Sequence, residues 1–313
     1  MAMTVTDFNP FDLAREADYR TWRAWKLDAY PARAADLRVE IGDPGQLTAE
    51  EHAAILAVCR KANMALYAIR AGSGADKAAI RALGRQFGLE HLDMNLRADE
   101  DSITSLRVLP QQAGTHYIPY TNRPLSWHTD GYYNSLDEQV RAIVLHCVSA
   151  AASGGESLLL DHEIAYLLLR DENPAWIRAL MQPDVMTIPA NVEEGRELRG
   201  AQTGPVFAVA NGSHALHMRY TARTRSIVWK DDPDVRAAVQ FLRELLDSEL
   251  PWIFRYRLRP GEGIICNNVL HRRLGFDDAA GGAGRLLYRA RYHDRIRDTV
   301  AHHGFYGGRQ CCG

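Results

Sequence analysis

The segment Ser126-Trp127-His128-Thr129-Asp130-Gly131 contains a His-x-Asp pair, and the distant segment Val269-Leu270-His271-Arg272-Arg273 supplies one more histidine. Two imidazoles and one carboxylate, with coordination positions left open, are the ligand set of non-haem Fe(II) oxygenases. His128 and Asp130 are two residues apart, so on a β-strand both side chains would leave the same face. A His-x-Asp pair alone is a weak signal, and the surrounding sequence has to support it.

Composition restricts the class of protein. The chain has 313 residues with 46% hydrophobic content, enough for a sizeable core in one large domain or two ordinary ones. A net charge of -2 gives no support for a nucleic-acid or anionic-membrane partner. The polar start of the chain lacks the features of a signal peptide, and no apolar run approaches the roughly 20 residues of a membrane helix. We expect a cytoplasmic protein with a small-molecule substrate; a homo-oligomer stays open.

The five cysteines predict neither a disulfide framework nor a structural zinc site. Their number is odd, and no C-x-x-C pair occurs. Cys59, Cys147 and Cys266 lie in apolar or strand-like surroundings and are expected in the core. Cys311 and Cys312 are adjacent near the end of the chain, where a frayed tail is favoured over a redox or metal-binding role.

Several helices are predicted from capping residues and apolar periodicity. Thr48-Ala49-Glu50-Glu51 has the pattern of a capping box. A second helix is expected from Asp76 to Phe87, ended by Gly88. Further helices are predicted at 161–169, 175–181 after Pro174, and 233–250. These helices would be insertions in, or a lead-in to, a β-rich region.

Short strands separated by Gly/Pro turns dominate the rest of the chain. They are predicted at 37–41, 64–69, 141–148, 157–160, 185–188, 206–209, 252–258, 264–268 and 286–293. From residue 105 onward the pattern indicates a β-sandwich or barrel rather than alternating βαβ units. No internal repeat divides the chain.

Four separated motifs occur in the order found in one known family. They are a W-H-x-D strand at 127–130, a G-G-[DE]-[TS] turn at 154–157, a P-G-[DE] turn followed by a strand, the distal histidine and a phenylalanine over 258–276, and an arginine-containing strand at 285–290. Over residues 105–294 the chain therefore resembles the Fe(II)/2-oxoglutarate dioxygenases of the taurine dioxygenase (TauD/TfdA) family. The ordered set is specific, although each motif alone is common.

The resemblance implies a fold and a reaction. The fold would be mainly β with helical insertions (α+β), a double-stranded β-helix or jelly roll. Residues 1–313 would form a single catalytic domain, with an α/β lead-in at 1–104, the β-helix at 105–294 and a tail at 295–313. With Fe(II), 2-oxoglutarate and O2, such an enzyme would hydroxylate an unactivated C–H bond of a small polar metabolite, such as an amine, betaine, amino acid or sulfonate. Succinate and CO2 would be released.

The resemblance also implies roles for particular residues. His128, Asp130 and His271 would bind iron, and Arg289 would bind the distal carboxylate of 2-oxoglutarate, because a guanidinium meets a carboxylate with two parallel hydrogen bonds. Ser157 would donate a hydroxyl to the same carboxylate, where the family more often has Thr. Arg285, Arg289 and Arg291 alternate along one predicted strand, so the neighbours compete with Arg289. Arg285 is expected to face the substrate or to close the pocket mouth.

One departure from the family pattern and one competing site remain. Asn267-Asn268 replaces a more usual Asp-Asn before the distal histidine, a change expected to be tolerated. His214-x-x-His217 is a competing metal pair, but no third ligand matches it.

The substrate is not fixed by these motifs. Candidates for the pocket lining flank the metal strand: His116, Tyr117, Tyr120, Tyr132, Tyr133 and Asn134. Tyr117, Tyr133, Asn134 and Arg285 are the predicted substrate contacts. The aromatic cluster could hold a quaternary ammonium by cation–π contact, or it could pack in the core. Arg219, Arg223 and Arg225 could instead select an anion. A non-catalytic metal- or effector-binding jelly-roll protein is the alternative function.

Overall fold

The computed structural model describes residues 8–70, 75–94, 102–109, 118–193, 195–223, 227–278 and 284–300. Five residues considered as pocket, anion-selecting or tail residues lie outside these ranges: His116, Tyr117, Arg225, Cys311 and Cys312.

Six α-helices are present in the described part of the chain. They are α1 (Glu16–Leu27), α2 (Ala49–Ala62), α3 (Lys77–Gln86), α4 (His162–Glu172), α5 (Pro174–Leu180) and α6 (Pro233–Asp247). The predicted capping box of α2 is confirmed, since Thr48 accepts from the Glu51 amide and Glu51 accepts from the Thr48 amide. Helix α1 was not predicted, and its first turn is preceded by Arg15, which makes no side-chain cap. A helix without a cap gives no sequence signal at its start.

The strands of the described residues are short. They are β1 (Arg38–Ile41), β2 (Met64–Ile69), β3 (Thr104–Leu106), β4 (Leu125–His128), β5 (Ala142–Ser149), β6 (Ser153–Gly154), β7 (Ser157–Leu160), β8 (Met186–Ile188), β9 (Asn191–Glu193), β10 (Arg196–Arg199), β11 (Gln202–Gly204), β12 (Phe207–Val209), β13 (Leu216–Met218), β14 (Val228–Trp229), β15 (Phe254–Tyr256), β16 (Glu262–Cys266), β17 (Leu270–Arg273), β18 (Phe276–Asp277) and β19 (Leu286–Tyr292). Two 3-10 turns occur at Ala34–Leu37 and Ile118–Tyr120.

Two sheets dominate the architecture. The larger has the order β1-β2-β16-β5-β19-β3, and the smaller has the order β15-β7-β17-β4. Around the predicted metal ligands the chain alternates between them: β4, β7, β15 and β17 belong to the smaller sheet, whereas β5, β16 and β19 belong to the larger. Side chains of both sheets meet in one apolar cluster, which includes Ile143 and Leu287 from the larger sheet and Leu159 and Phe254 from the smaller. The core therefore lies between the sheets.

Helices cover the outer faces of both sheets. α2 and α3 pack on the larger sheet, where Ile55 and Leu83 join the same cluster as Tyr67 and Val144. α1, α4, α5 and α6 pack against the smaller sheet and its insertion, with Trp127 buried in that cluster. The prediction that Cys59, Cys147 and Cys266 are core residues is confirmed, because all three are buried free thiols. In the described part of the chain, none of the helices has the length and apolar character needed to span a membrane.

Several predicted boundaries differ from the structure. Leu37 belongs to a 3-10 turn, and β1 begins at Arg38. The strand predicted over 264–268 is β16, which ends at Cys266, so Asn267 and Asn268 lie in the turn to β17. Asn268 has a φ of 49°, a left-handed conformation that cannot continue a strand. The two adjacent asparagines interrupt the apolar run between Cys266 and Val269 and mark this turn in the sequence.

Candidate active site

The two predicted metal-binding histidines lie opposite each other on adjacent strands. His128 is the last residue of β4, and His271 on β17 is its direct partner in the antiparallel ladder. Their imidazole ring centroids are 4.3 Å apart. Residues paired in this way project to the same face of a sheet. The strand register therefore brings together two histidines that are far apart in the sequence.

Asp130 joins the histidines by a route that differs from the prediction. β4 ends at His128, and Asp130 lies in the following turn rather than on the same strand face. Its Oδ1 atom is nevertheless 3.5 Å from His128 Nε2 and 4.0 Å from His271 Nε2. Gly131 makes the turn with a φ of 66°, and a Cβ there would approach Val140 Cγ2 to 2.5 Å. A glycine is therefore required directly after Asp130.

The hydrogen bonds of both imidazoles leave Nε2 available for a metal. His128 Nδ1 lies 2.8 Å from the Ser126 carbonyl oxygen, and His271 Nδ1 lies 2.9 Å from that of Val269. A ring nitrogen that donates to a backbone carbonyl places the lone pair on the other nitrogen. Burial, followed by the neighbouring His128, lowers the pKa of His271 to about 4. His271 is therefore neutral at neutral pH, as a metal ligand must be.

The Asp130 carboxylate is charged and incompletely satisfied. Burial opposes its ionisation, but the Arg289 charge and the neighbouring His128 side chain hold the pKa of Asp130 well below its usual range. Arg289 Nη1 donates to Asp130 Oδ1 at 3.2 Å and lies 3.1 Å from Oδ2. Among the described residues, Oδ2 is buried without a hydrogen-bond donor in good geometry. Such an oxygen is a candidate for an unseen partner, and the three ligand atoms lie within 4.8 Å of one another, which fits a single divalent ion.

A small cavity at the start of β7 contains a second predicted residue pair. Ser157 and Arg285 both line it, together with Cys147, Gly155, Arg257 and Leu287. Arg285 is buried, and burial lowers its pKa to about 10. Within the described part of the chain, no carboxylate forms an ion pair with its guanidinium. A buried cation in this state favours an anionic ligand.

A second buried arginine adds to the positive charge of the cavity. The guanidiniums of Arg285 and Arg273 lie 5.0 Å and 4.9 Å from the centroid of the Phe276 ring. Arg273 donates to backbone carbonyls of the 119–123 segment. Burial, followed by repulsion from Arg285, lowers the pKa of Arg273 to about 9.

The arginines of β19 point to different partners along one face. Arg289 contacts Asp130, whereas Arg291 donates to the Tyr133 hydroxyl at 2.9 Å and forms a buried ion pair with Asp93. The residues predicted to bind 2-oxoglutarate therefore lie at two different places. Ser157 and Arg285 lie at the cavity, and Arg289 lies at the metal ligands.

The predicted substrate residues are partly committed to contacts within the protein. The Asn134 amide donates to Asp93 Oδ1 at 2.8 Å and to the Glu138 carbonyl at 2.9 Å. Tyr132 packs edge-on against His128, with ring centroids 6.4 Å apart, and against Tyr133 at 5.1 Å. Tyr132 is thus the aromatic neighbour of the metal ligands. Tyr120 packs at the edge of the cluster between the sheets.

The residues of two alternative predictions, an anion-selecting arginine and a second metal pair, make structural contacts instead. Arg219 donates to the carbonyls of Tyr132, Met186 and Gln202, so its guanidinium is used in holding the insertion against the Tyr132 turn. Among the described residues, the His128, Asp130 and His271 group is the only cluster with metal-ligand geometry. His217 is half-buried, and desolvation, followed by the charge of neighbouring His162, lowers its pKa to about 3.

Sequence comparisons identify relatives with named activities. A uridine-5'-phosphate dioxygenase from Amycolatopsis sp is 29% identical over 177 residues, covering 55% of this chain and 62% of that protein. A protein of the same name from Streptomyces sp is 29% identical over 209 residues, covering 64% of this chain and 73% of that protein. The chain thus spans less than two thirds of the Amycolatopsis relative.

Solved structures share the fold at low sequence identity. AAD-2 in complex with Mn(II) and N-oxalylglycine superposes with a TM-score of 0.60 at 14% identity, covering 83% of this chain and 96% of that one. Asparagine oxygenase in complex with Fe(II), 2S,3S-3-hydroxyasparagine and succinate gives 0.53 at 16% identity, covering 90% and 91%. The profile of the family described as taurine catabolism dioxygenase TauD, TfdA matches residues 28–291. The chain therefore belongs to this family of dioxygenases.

Proposed function

We propose that the enzyme oxygenates an unactivated C–H bond of a small polar substrate and releases succinate and CO2, with iron held by His128, Asp130 and His271. The observation that carries the proposal is the convergence of two free Nε2 atoms on one ionised carboxylate. Iron and 2-oxoglutarate, when bound, supply the activation of O2 that this reaction needs. The non-catalytic alternative is disfavoured because a mere metal-binding protein has no need of an arginine-lined cavity.

The proposed function is consistent with a jelly-roll fold in a single catalytic domain. In the smaller sheet β4 and β7 flank β5 of the larger sheet along the chain, and β15 and β17 alternate with β16 and β19 of the larger sheet. This crossing between two facing sheets supports a jelly roll or double-stranded β-helix. Side chains of residues before and after this region share its apolar clusters, including Trp22, Ile55 and Ile296. A shared core supports one catalytic domain rather than two.

We assign the distal carboxylate of 2-oxoglutarate to Arg285 and Ser157, and not to Arg289. The cavity that contains both residues has a buried guanidinium without a carboxylate partner among the described residues, whereas Arg289 already contacts Asp130. The strand geometry supports the assignment. Ser157 on β7 lies two residues from Leu159, which pairs directly with His271. Ser157 and His271 are therefore separated by roughly 7 Å along the sheet, a span suited to a five-carbon dicarboxylate.

Arg289 is then available to the substrate side of the metal. Its Nε is buried without a hydrogen-bond partner among the described residues, and its Nη1 is beside Asp130. A positive charge at this point favours a substrate with an anionic group. The relatives named uridine-5'-phosphate dioxygenase make a phosphorylated nucleoside one class to test, beside sulfonates and amino acids. Amines and betaines, which are cationic, fit this charge less well.

The proposal is tested in two steps. Anaerobic addition of Fe(II) and then 2-oxoglutarate is expected to give the weak visible absorption of the chelated metal. A screen of nucleoside monophosphates, sulfonates, amino acids, amines and betaines then measures succinate released above the background without substrate. An absorption band that does not depend on 2-oxoglutarate would contradict the co-substrate site. Stimulation by cationic substrates alone would contradict the role given to Arg289.

A further inference from the structure

Asn268 makes contacts that its sequence context did not predict. It lies in the turn between β16 and β17, is 2% exposed and has a φ of 49°. Its Oδ1 accepts a hydrogen bond from the Asp130 amide at 2.8 Å. Its Nδ2 donates to the Asp130 carbonyl at 2.9 Å and to the Val140 carbonyl at 2.5 Å. One buried amide therefore binds both backbone polar groups of Asp130.

These hydrogen bonds lie beyond the end of the ladder between β4 and β17. The ladder between β4 and β17 ends with the His128–His271 pair, and the Thr129 amide donates instead to the Tyr220 carbonyl. A side-chain amide offers a donor and an acceptor, as a peptide group does. The Asn268 side chain thus extends the pairing to Asp130, two residues beyond the end of β4. It connects Asp130 to the segment that carries His271, three residues further along the chain.

The local backbone suits asparagine at this position. A left-handed φ is rare for residues other than glycine, and asparagine is among those that tolerate it. On the other side of the turn, the ideal Cβ of Gly131 would meet Val140 Cγ2 at 2.5 Å. The Asp130 turn is therefore confined between Val140 and the Asn268 amide.

We propose that Asn268 is a positioning residue, which fixes the backbone of Asp130 so that its carboxylate meets the Nε2 atoms of His128 and His271. The inference rests on the proposed metal site. Its consequence is that the affinity for a divalent ion depends on a side chain that does not touch the ion. Groups that orient a metal ligand commonly change metal affinity about 10- to 100-fold when they are lost.

Asn267 provides a matched control. It is the adjacent asparagine, is 1% exposed, and donates to Asn63 Oδ1 and Thr299 Oγ1 at 3.0 Å each. Its Oδ1 accepts from the Ile296 amide. Its amide is thus as buried and as fully bonded as that of Asn268, but it faces away from Asp130. Loss of either amide should destabilise the fold, whereas only loss of Asn268 should change the metal site.

The experiment measures Mn(II) binding to the full chain by calorimetry, alongside urea unfolding. Asn268→Gly keeps the left-handed backbone and is expected to weaken Mn(II) binding about 10- to 100-fold. Asn267→Ala is expected to keep the wild-type Mn(II) constant despite a comparable loss of stability. Asn268→Asp keeps the volume and the acceptor but loses both donors, and it should also weaken binding if Asn268→Gly does not fold.

Two outcomes would overturn the inference: wild-type Mn(II) affinity in the folded Asn268 variants, or an equal loss in Asn267→Ala. His271→Ala separates this failure from failure of the proposed site. If His271→Ala loses Mn(II) binding and Asn268→Gly retains it, the metal site stands and only the positioning role is wrong. If His271→Ala retains Mn(II), the metal site itself is wrong.

Discussion

The metal centre and the buried charge cluster around Lys26 are built from the same kinds of groups, but they differ in how completely those groups are satisfied. Lys26 on α1 is fully buried, with its Nζ 2.6 Å from Asp161 Oδ2 and 2.6 Å from Glu163 Oε2. Asn63 donates to Asp161 Oδ1 at 2.9 Å, and Tyr30 donates to Oδ2 at 3.2 Å. At the proposed metal centre, by contrast, Asp130 Oδ2 has no hydrogen bond among the described residues, and both imidazoles make their hydrogen bonds through Nδ1.

This difference separates a site that binds from one that holds the fold together. Burial opposes ionisation in the Lys26 cluster, but the mutual charges raise the pKa of Lys26 and lower that of Asp161. The cluster joins α1, the end of α2 and the start of α4, three elements distant in sequence. At the proposed metal site, a bound divalent ion would supply the partner that Asp130 Oδ2 lacks among the described residues. Burial of charge alone therefore does not distinguish a binding site from a structural cluster.

The largest expected effect is loss of a metal ligand. Asp130→Ala should reduce substrate-dependent succinate formation on the order of a thousandfold or more, about 4 kcal/mol in the activation barrier. Its unfolding free energy without metal should also fall, because the largely buried Arg289 loses its carboxylate partner. Turnover assays and urea unfolding measure the two quantities. Activity near the wild-type level would remove Asp130 from the ligand set.

The next largest effect is on stability and concerns the Lys26 cluster. Lys26→Met keeps the apolar stem but leaves Asp161 and Glu163 without their cation, so unfolding should become easier by about 3–5 kcal/mol. Arg23→Met on the same helix removes an exposed pair with Asp171 and should cost less than about 1 kcal/mol. Both are measured by urea unfolding, and the folded fraction should keep wild-type Mn(II) affinity. Equal costs for the two variants would contradict the contrast between the clusters.

Substitutions at Arg285 and Arg289 test which arginine binds 2-oxoglutarate and which acts on the substrate. Arg285→Ala should raise the apparent 2-oxoglutarate constant tens to thousands of fold, about 2–5 kcal/mol, with only partial rescue by Arg285→Lys. Arg289→Ala should leave that constant nearly unchanged and instead affect substrate use. Steady-state assays with varied 2-oxoglutarate distinguish the two. A large rise for Arg289→Ala with none for Arg285→Ala would restore the role expected from the sequence.

The smallest effect concerns His146, a buried histidine that belongs neither to the proposed metal centre nor to the Lys26 cluster. Burial lowers its pKa from 6.5 to about 4, and its Nδ1 lies 3.2 Å from the Tyr67 hydroxyl. Above pH 6.5 it is neutral whether the chain is folded or unfolded. As pH falls from 6.5 towards 4, only the unfolded chain takes up the proton, so stability is lost. At pH 5 this amounts to about 2 kcal/mol.

The control is His146→Phe, which keeps an aromatic ring beside Tyr67. Urea unfolding at pH 7.5 and pH 5 should show a smaller acid-induced loss in this variant, by about 2 kcal/mol. An identical loss in both proteins would assign the acid sensitivity to other groups.

Local sequence signals predicted much of the fold. The capping box at Thr48, the helix beginning near Asp76 and the strand at 64–69 depend on contacts within a few residues, and the structure has them where they were predicted. Helix α1 lacks such a cap, so it was missed. The alternation of strands between two sheets could only be inferred from family resemblance, because strand pairing is a long-range property.

The chain by itself determined the chemical types available: two histidines, one aspartate and a strand rich in arginine, in an order typical of one family. Only the tertiary structure decided which arginine meets which partner. Arg285 precedes a register shift at Leu286–Leu287, so it turns into the cavity, while Arg289, four residues later, reaches Asp130. The tertiary structure also revealed the contacts of Asn268, because a hydrogen bond from a side-chain amide to a distant segment does not produce a periodic sequence pattern. Strand registers and turns decide these partners through contacts between residues distant in the sequence. The spacing of residues within one segment therefore does not predict them.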